Sequence, residues 1–357
     1  MMRILYSFNK PGAEGDHLAR EIAGASTRDV EFVPFNHQHY LDPGLYSDAT
    51  RLDALYRAKD ARLLAMHRDL QHTVREQRIT AMIVANCPPY HPEFLRTLDG
   101  VYKALYSADD PGATYLINIP YLHAYDHVFF VAPAYSRELS MREKMQYAGM
   151  SNADWLPIAV CDFECDATRP ARALSTQKRD IDVIYIGSFW RQKVEALAAV
   201  RRALGRRFKV FGLFRARHNL YVNAKYRAGM WVRPVSLAER VALYQRAKIG
   251  INIHYNEYGL GNQRLFHLPA NGVMQLCDCA PFLDTVFEPG TEILGYASTD
   301  DLIDKLKYYL EHDDERSDIA MRGHERTMRD YRFATVTRRA AELIRAGMRR
   351  AEWPAAS

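Results

Sequence analysis

Apolar residues recur along the chain in two rhythms, short continuous runs and longer stretches with a helical period. Residues 3–8 predict a strand, followed by a turn through Asn9, Pro11 and Gly15 and a helix over 16–23. Asp16 is its expected N-cap and Gly24 its stop. A second strand is predicted at 30–35. Between residues 51 and 78, Leu52, Leu55, Tyr56, Leu63, Leu70 and Val74 fall near one face, which predicts a helix. Further strands are expected at 81–85, 102–108 and 127–132, helices at 94–98 and 136–147, and an extended segment at 154–160. Strand, turn and helix in alternation indicate an α/β unit with a doubly wound parallel sheet.

The pattern stops at residues 166–180 (DATRPARALSTQKRD), which have no hydrophobic period and read as a linker. It then restarts with a strand at 181–186, the turn Gly187-Ser188 and a helix to about Leu204. A strand at 208–214, a basic and aromatic loop at 215–231, a short strand at 232–236 and a helix at 237–247 follow. Residues 248–278 (KIGINIHYNEYGLGNQRLFHLPANGVMQLCD) give strand, glycine-rich loop, helix, Asn271-Gly272 stop and strand. An extended stretch at 282–296 and helices at 299–311, 316–331 and 335–350 close the chain. The expected organisation is an N-terminal domain at 1–165, a linker at 166–180, a C-terminal domain at 181–332 and a terminal helix within 333–357.

A length of 357 residues is enough for two domains. Hydrophobic content of 48% and charged content of 25% are those of a soluble globular protein. The formal net charge of +5 suits a small anionic substrate and is too mild for a dedicated nucleic-acid binder, so no nucleic-acid partner is expected. Of the five cysteines, Cys161 and Cys165 form a CxxxC and Cys277 and Cys279 a CxC. Neither is accompanied by histidines at zinc spacing, so thiols in a reducing compartment are expected, with no metal. The N-terminus runs straight into a strand and no apolar stretch is long enough to span a membrane, which makes the cytoplasm the expected location. The closing helix, apolar on one face with arginines elsewhere, is expected to pack, with weak peripheral membrane association as the alternative.

Candidate chemistry sits where strands end. Gly187 and Ser188, with Arg191 and Lys193 opening the next helix, suit a pyrophosphate: backbone N–H groups donate to phosphate oxygens and the cations neutralise charge. In 248–278, Gly259 and Gly261 let backbone approach a ligand, and Asn252, His254, Asn262, Arg264 and His267 supply polar groups. Asp109 and Asp110 end a strand in an Asp-Asp-Pro-Gly sequence. They form either a general-base pair or a plain turn. His37, His39 and Tyr40 either line an acceptor pocket or belong to a solvated loop. The loop at 215–231 is open to a reading as a stacking surface for single strands.

From about residue 182 to 333 the sequence resembles the C-terminal half of glycosyltransferases of the GT-B fold, in the glycosyl transferases group 1 branch that contains the CgeB-like spore-maturation proteins. The residues that carry the resemblance are DVIYIGS at 182–188 with Arg191, INIH at 251–254, NQRLFH at 262–267 followed by Ala270-Asn271-Gly272, and FEPGTEILGY at 287–296. Asp301-Leu302, Arg316, Gly323 and Arg326 fit its closing helices. The N-terminal half resembles the group more loosely, through Asp109-Asp110-Pro111 and Trp155-Leu156-Pro157.

The resemblance implies two Rossmann-like domains facing across a cleft, with a nucleotide-sugar donor on the C-terminal one and a glycan or small-molecule acceptor on the other. It implies sugar transfer to an acceptor hydroxyl, in polysaccharide or glycoconjugate synthesis, with no cofactor beyond the donor substrate and no metal. Gly187, Ser188, Arg191, Lys193 and Arg264 would bind the diphosphate. Asn252, His254, Gly261, Asn262 and His267 would hold ribose, base or sugar, and Asp110 or Asp109 would act as base or orient the acceptor. His267 stands where the family has a glutamate taken to bind the donor ribose. That departure keeps open a non-catalytic nucleotide-sugar binder, beside an epimerase on a similar double-Rossmann scaffold.

Overall fold

The computed structural model describes the chain except residues 86–88, 109–117, 137, 166, 168–172, 175–176, 190, 213–215, 255–261, 279–282 and 351–357, and except the side chains of Arg191 and Gln192. The described strands form two sheets, each wholly parallel, and the chain divides into two compact units.

The first unit comprises Met1–Cys161 and Arg332–Ser357. Its sheet contains β1 (Met2–Phe8), β2 (Val30–Asn36), β3 (Ala81–Ala85), β4 (Tyr102–Ser107), β5 (His127–Phe130) and β6 (Ala153–Trp155), in the order β2-β1-β3-β4-β5-β6. Its strands are apolar on both faces, as a sheet covered by helices on each side requires. The helix after β1 spans Gly12–Gly24 and begins after an extended Pro11, so Asp16 lies inside it and is not its cap. The single helix expected at 51–78 is two, Ala49–Arg57 and Ala61–Glu76. Lys59 turns the chain at φ +52°, and the Asp60 carboxylate accepts the N–H groups of Arg62 and Leu63, starting a new helix there. Met141–Tyr147 starts later than expected, behind a Ser140–Glu143 capping box.

The closing helix, Phe333–Arg350, packs within the first unit. Phe333, Val336, Ala340, Ala341 and Ile344 are buried, the Phe333 ring lies 5.7 Å from that of Tyr6, and the Phe333 N–H donates to the Val160 carbonyl at 2.8 Å. His37 is fully buried beside Ser7 and Tyr90, and burial lowers its pKa to about 3, so this neutral ring belongs to the core and not to a solvated loop.

The second unit spans Asp162–Tyr331. Its strands are β7 (Ile181–Ile186), β8 (Phe208–Phe211), β9 (Ala247–Asn252), β10 (Met274–Asp278) and β11 (Leu294–Tyr296), in the order β11-β10-β9-β7-β8. Chain order reverses between β7 and β9, which makes the gap between their carboxyl ends the topological switch point where such sheets bind ligands. Val183, Tyr185, Ile249, Ile251 and Leu276 of the sheet pack with Leu197, Leu302 and Leu306 of the helices.

The loop expected at 215–231 contains the helix Ala216–Tyr226, and 232–236 is not a strand. The reason is local: the buried Asn219 amide accepts the Val232 N–H at 2.9 Å and donates to the Val232 carbonyl at 3.0 Å, taking the bonds a neighbouring strand would have made. Among the described residues no helix is long and apolar enough to cross a membrane.

Candidate active site

The site grows from the carboxyl ends of β7, β9 and β10. After Ile186 the chain turns at Gly187 and the exposed Ser188, three residues before the helix Arg191–Leu204 begins. A Cβ on Gly187 would overlap the Nη1 of Arg264, so the glycine is what lets that guanidinium lie against the turn. Arg264 opens the helix Arg264–Ala270 and is 8% exposed. It donates from Nη1 to the Ile186 carbonyl at 2.8 Å, from Nε to Asn252 Oδ1 at 3.2 Å and from Nη2 to the Ile253 carbonyl at 3.3 Å. Its guanidinium carbon lies 4.5 Å from the centre of the Tyr185 ring, and the Tyr185 hydroxyl donates to the Ser188 carbonyl at 2.8 Å.

Lys193, in the first turn of its helix, is 4% exposed and forms no hydrogen bond or ion pair with a described residue. Burial, and then the neighbouring Arg264, lower its pKa from 10.5 to about 8, against the pull of Asp278. Neither cation has a carboxylate in contact among the described residues, so positive charge is buried behind Gly187 and Ser188.

Asn252, fully buried at the end of β9, accepts from Arg264 and from Asn262 Nδ2 at 2.9 Å, while its own Nδ2 has no partner among the described residues. Asn262 also accepts the Leu265 N–H at 3.0 Å and so caps the helix that Arg264 opens. His254, two residues past β9, is 4% exposed and tied to Asp278 twice: its backbone N–H donates to Oδ2 at 2.8 Å and its Nδ1 faces Oδ1 at 2.6 Å. Burial pushes Asp278 up, but the bonds from His254 outweigh it and hold the carboxyl below its ordinary value. His254 Nε2, the far side of that ring, is buried without a partner among the described residues. With the Cys277 thiol, Nδ1 and the carboxylate are the described set whose ligand atoms could gather round a metal ion. Lys193 and Arg264, both coupled to this corner, work against a further cation there.

His267 is 2% exposed, in the wall of the unit. Its Nε2 faces Glu164 Oε2 at 3.1 Å, and Glu164 Oε1 accepts from Arg240 at 3.3 Å. The carboxylate that the resemblance places at 267 is thus present beside it, supplied by the short 3-10 helix Asp162–Glu164.

The structure therefore brings Gly187, Ser188, Lys193, Asn252, His254, Asn262 and Arg264 to one edge of the second sheet, with His267 further along the same helix. Asp109, Asp110 and Gly261 lie outside the described residues, as does the Arg191 side chain, although Arg191 opens its helix as expected. Sequence reasoning missed Asp278, Tyr185 and Glu164. Asp278 ends a strand, the signal that drew attention to Asp109 and Asp110. Glu164 gave none, because its partner is 103 positions away.

Residues 191–345, fewer than half of the chain, match a family model described as glycosyl transferase-like. No curated protein matches the sequence. Among solved structures, sucrose-phosphate synthase from Thermosynechococcus elongatus is similar over 97% of this chain and 99% of its own, at 11% identity and TM-score 0.61. Anabaena HepE in complex with UDP-glucose is similar over 97% and 100%, at 11% identity and TM-score 0.60. A glycosyltransferase from Rickettsia africae is similar over 97% and 98%, at 9% identity and TM-score 0.59. The fold is that of the GT-B glycosyltransferases. With the glycosyl transferase-like domain at 191–345, it makes the chain by class a glycosyltransferase.

Proposed function

We propose that the carboxyl edge of the second sheet, at the gap between β7 and β9, binds the diphosphate of a nucleotide-sugar donor. The observation that carries this is the pair of buried cations, Lys193 and Arg264, held without carboxylate contacts among the described residues behind the accessible Gly187-Ser188 turn. A diphosphate at the turn takes N–H groups from the helix N-terminus and the Ser188 hydroxyl, while the two cations, joined by Arg191, act on it from within. When an acceptor hydroxyl attacks the anomeric carbon, the bond to the diphosphate breaks and charge grows on the leaving oxygens. Fixed cations in a dry corner stabilise that charge without reorganising.

Asn262, Gly261 and His254 are assigned to the donor's ribose, base or sugar. His267, walled in, holds Glu164 in place in this reading, and its departure from the family's glutamate does not remove a carboxylate from the neighbourhood. Asp110 or Asp109 is kept as the base or acceptor-orienting group. HepE, whose structures hold UDP, UDP-glucose, or UDP and glucose, supports a donor of this kind. The order of motifs from 182 to 296 supports kinship with the CgeB-like branch, and the cytoplasm is kept as the location in this reading.

The test is calorimetric titration of UDP, GDP, TDP, ADP and CMP, followed by transfer assays with sugar conjugates of the nucleotide that binds. Binding by one nucleoside diphosphate that weakens at least about tenfold in Arg264→Ala supports the site. No binding by any of them sinks it, and binding without turnover for any acceptor favours the non-catalytic alternative.

A further inference from the structure

The second sheet has another basic site at its opposite edge. A cavity of about 270 Å³ is lined by Lys178, Arg179, Lys248 and Arg316 as cations, Asp313 as carboxylate, and the Ser317 hydroxyl among other groups. Lys178 and Arg179 precede β7, Lys248 is the second residue of β9, and Gly272 lies just before β10, so the cavity is at the amino ends of the strands. Gly187, Asn252 and Asp278 mark the carboxyl ends.

The charges do not balance. Lys248 Nζ is paired with Asp182 at 2.7 Å and Arg316 Nη1 with Asp313 at 2.6 Å. Arg179 has no carboxylate: its four hydrogen bonds go to the carbonyls of Leu174, Tyr244, Ala247 and Asn271, at 2.7–3.1 Å. Lys178 makes no hydrogen bond or ion pair with a described residue, and the carboxylate its charge acts on, Asp180, is already paired with Arg246 at 2.5 Å. Burial, and then Arg316, lower the Arg179 pKa to about 10. Arg316 is only 8% exposed, and its Nε and Nη2 make no bond to a described residue. Gly272, at φ +66°, completes the arrangement, since a Cβ there would come within 2.8 Å of Arg179 Nη2. Among the described residues the result is two positive charges in excess, held in a frame of carbonyls beside Nε and Nη2 of Arg316 and the Ser317 hydroxyl, for which no partner is described.

We infer that this cavity is a binding site for a phosphate-bearing small molecule, separate from the donor edge. The Arg316 guanidinium, the Lys178 ammonium and the Ser317 hydroxyl offer donors, and Arg179, whose Nη hydrogens are taken by carbonyls, adds charge; together they match a tetrahedral oxyanion with several acceptor lone pairs better than a single carboxylate. The cavity exceeds the size of inorganic phosphate, leaving room for the organic part of a phosphate monoester. Its occupant would lie at the end of the helix that Arg264 begins, where Arg179 grips the Asn271 carbonyl.

The probe is inorganic phosphate, titrated by calorimetry and by thermal shift, with sodium chloride of equal ionic strength as control. Wild type and the donor-edge variant Lys193→Met should bind it alike. Lys178→Glu should weaken binding roughly tenfold. Ser317→Glu, which places a carboxylate of the chain's own in the cavity, should melt higher than wild type without phosphate and gain nothing from it. Nucleoside diphosphate affinity should be unchanged in both cavity variants, which separates this site from the donor site. The inference is overturned if wild type shows no saturable phosphate effect beyond salt. It also fails if the effect survives in both cavity variants, or if Lys193→Met alone abolishes it, which would return the phosphate to the donor edge.

Discussion

Replacing Lys193 by methionine should make the protein more stable and a poorer binder at once. Methionine keeps most of the aliphatic volume of the 4%-exposed side chain and removes its charge. Folding takes that ammonium from an ordinary pKa of 10.5 to about 8. At 1.36 kcal/mol for each tenfold change in the proton equilibrium, holding it protonated at pH 7 costs the folded state up to about 3 kcal/mol. Lys193→Met should recover much of this, read as a higher urea midpoint at pH 7. The sign with pH follows. Between about 8 and 10.5 the unfolded chain binds one proton more at this residue, so wild type gains stability as pH rises through that window. The variant lacks this gain, and the two curves should converge near pH 10.5. Nucleoside diphosphate affinity should fall by about 10–100-fold in the variant at pH 7, because the anion loses a cation in a dry corner. In wild type it should weaken above pH 8 as Lys193 loses its proton. A variant less stable than wild type at pH 7, with unchanged affinity, would refute the claim that Lys193 is an uncompensated charge kept for an anion.

Gly187→Ala should dislodge the Arg264 guanidinium from its three bonds, costing about 2–4 kcal/mol by denaturant unfolding and weakening nucleoside diphosphate binding; retention of both values would show that the guanidinium is free to move aside. His267→Glu, which restores the residue expected from the family, should destabilise by about 3 kcal/mol or more, because it buries a second carboxylate against Glu164. In the same urea series, Glu164→Gln combined with His267→Glu should recover part of the loss. Ile344→Ala, at a fully buried position of the closing helix, should cost about 2–5 kcal/mol, measurable as a lower melting temperature of the first unit.

The chain's alternation of apolar runs made both parallel sheets legible, because a strand buried on both faces must be apolar throughout and a crossover must fit a helix between. Gly187 and Arg264 were also legible, each as a residue type suited to phosphate at a strand end or helix start. That one exists to admit the other was not, since 77 positions separate them. The stretch of the helix Ala216–Tyr226 reads as a loop because aromatic and basic residues are interleaved along it, and its apolar Leu220 and aromatic Tyr221 are 64% and 56% exposed instead of marking a buried face. Its anchors, Asn219 and Asn223, bind backbone that sequence alone could not pair with them. Asp278 and Glu164 act through histidines brought to them by the fold, and a local window sees only a strand end and an acidic turn.

The first unit is closed by residues made after the second unit. Val160 and Arg332 form a parallel bridge, so the chain departs from this unit and rejoins it at adjacent points, with the whole second unit inserted between. During synthesis at roughly 5–20 residues per second, the ribosome takes about 10–35 s to travel from Cys161 to Arg332. Throughout that interval Tyr6 and Tyr102, which the closing helix meets through Phe333 and Gly347, have no cover from it. The second unit, contiguous in sequence, is complete before the first. The nascent protein completes its second unit first and leaves the first without the cover of Phe333–Arg350 until that helix emerges.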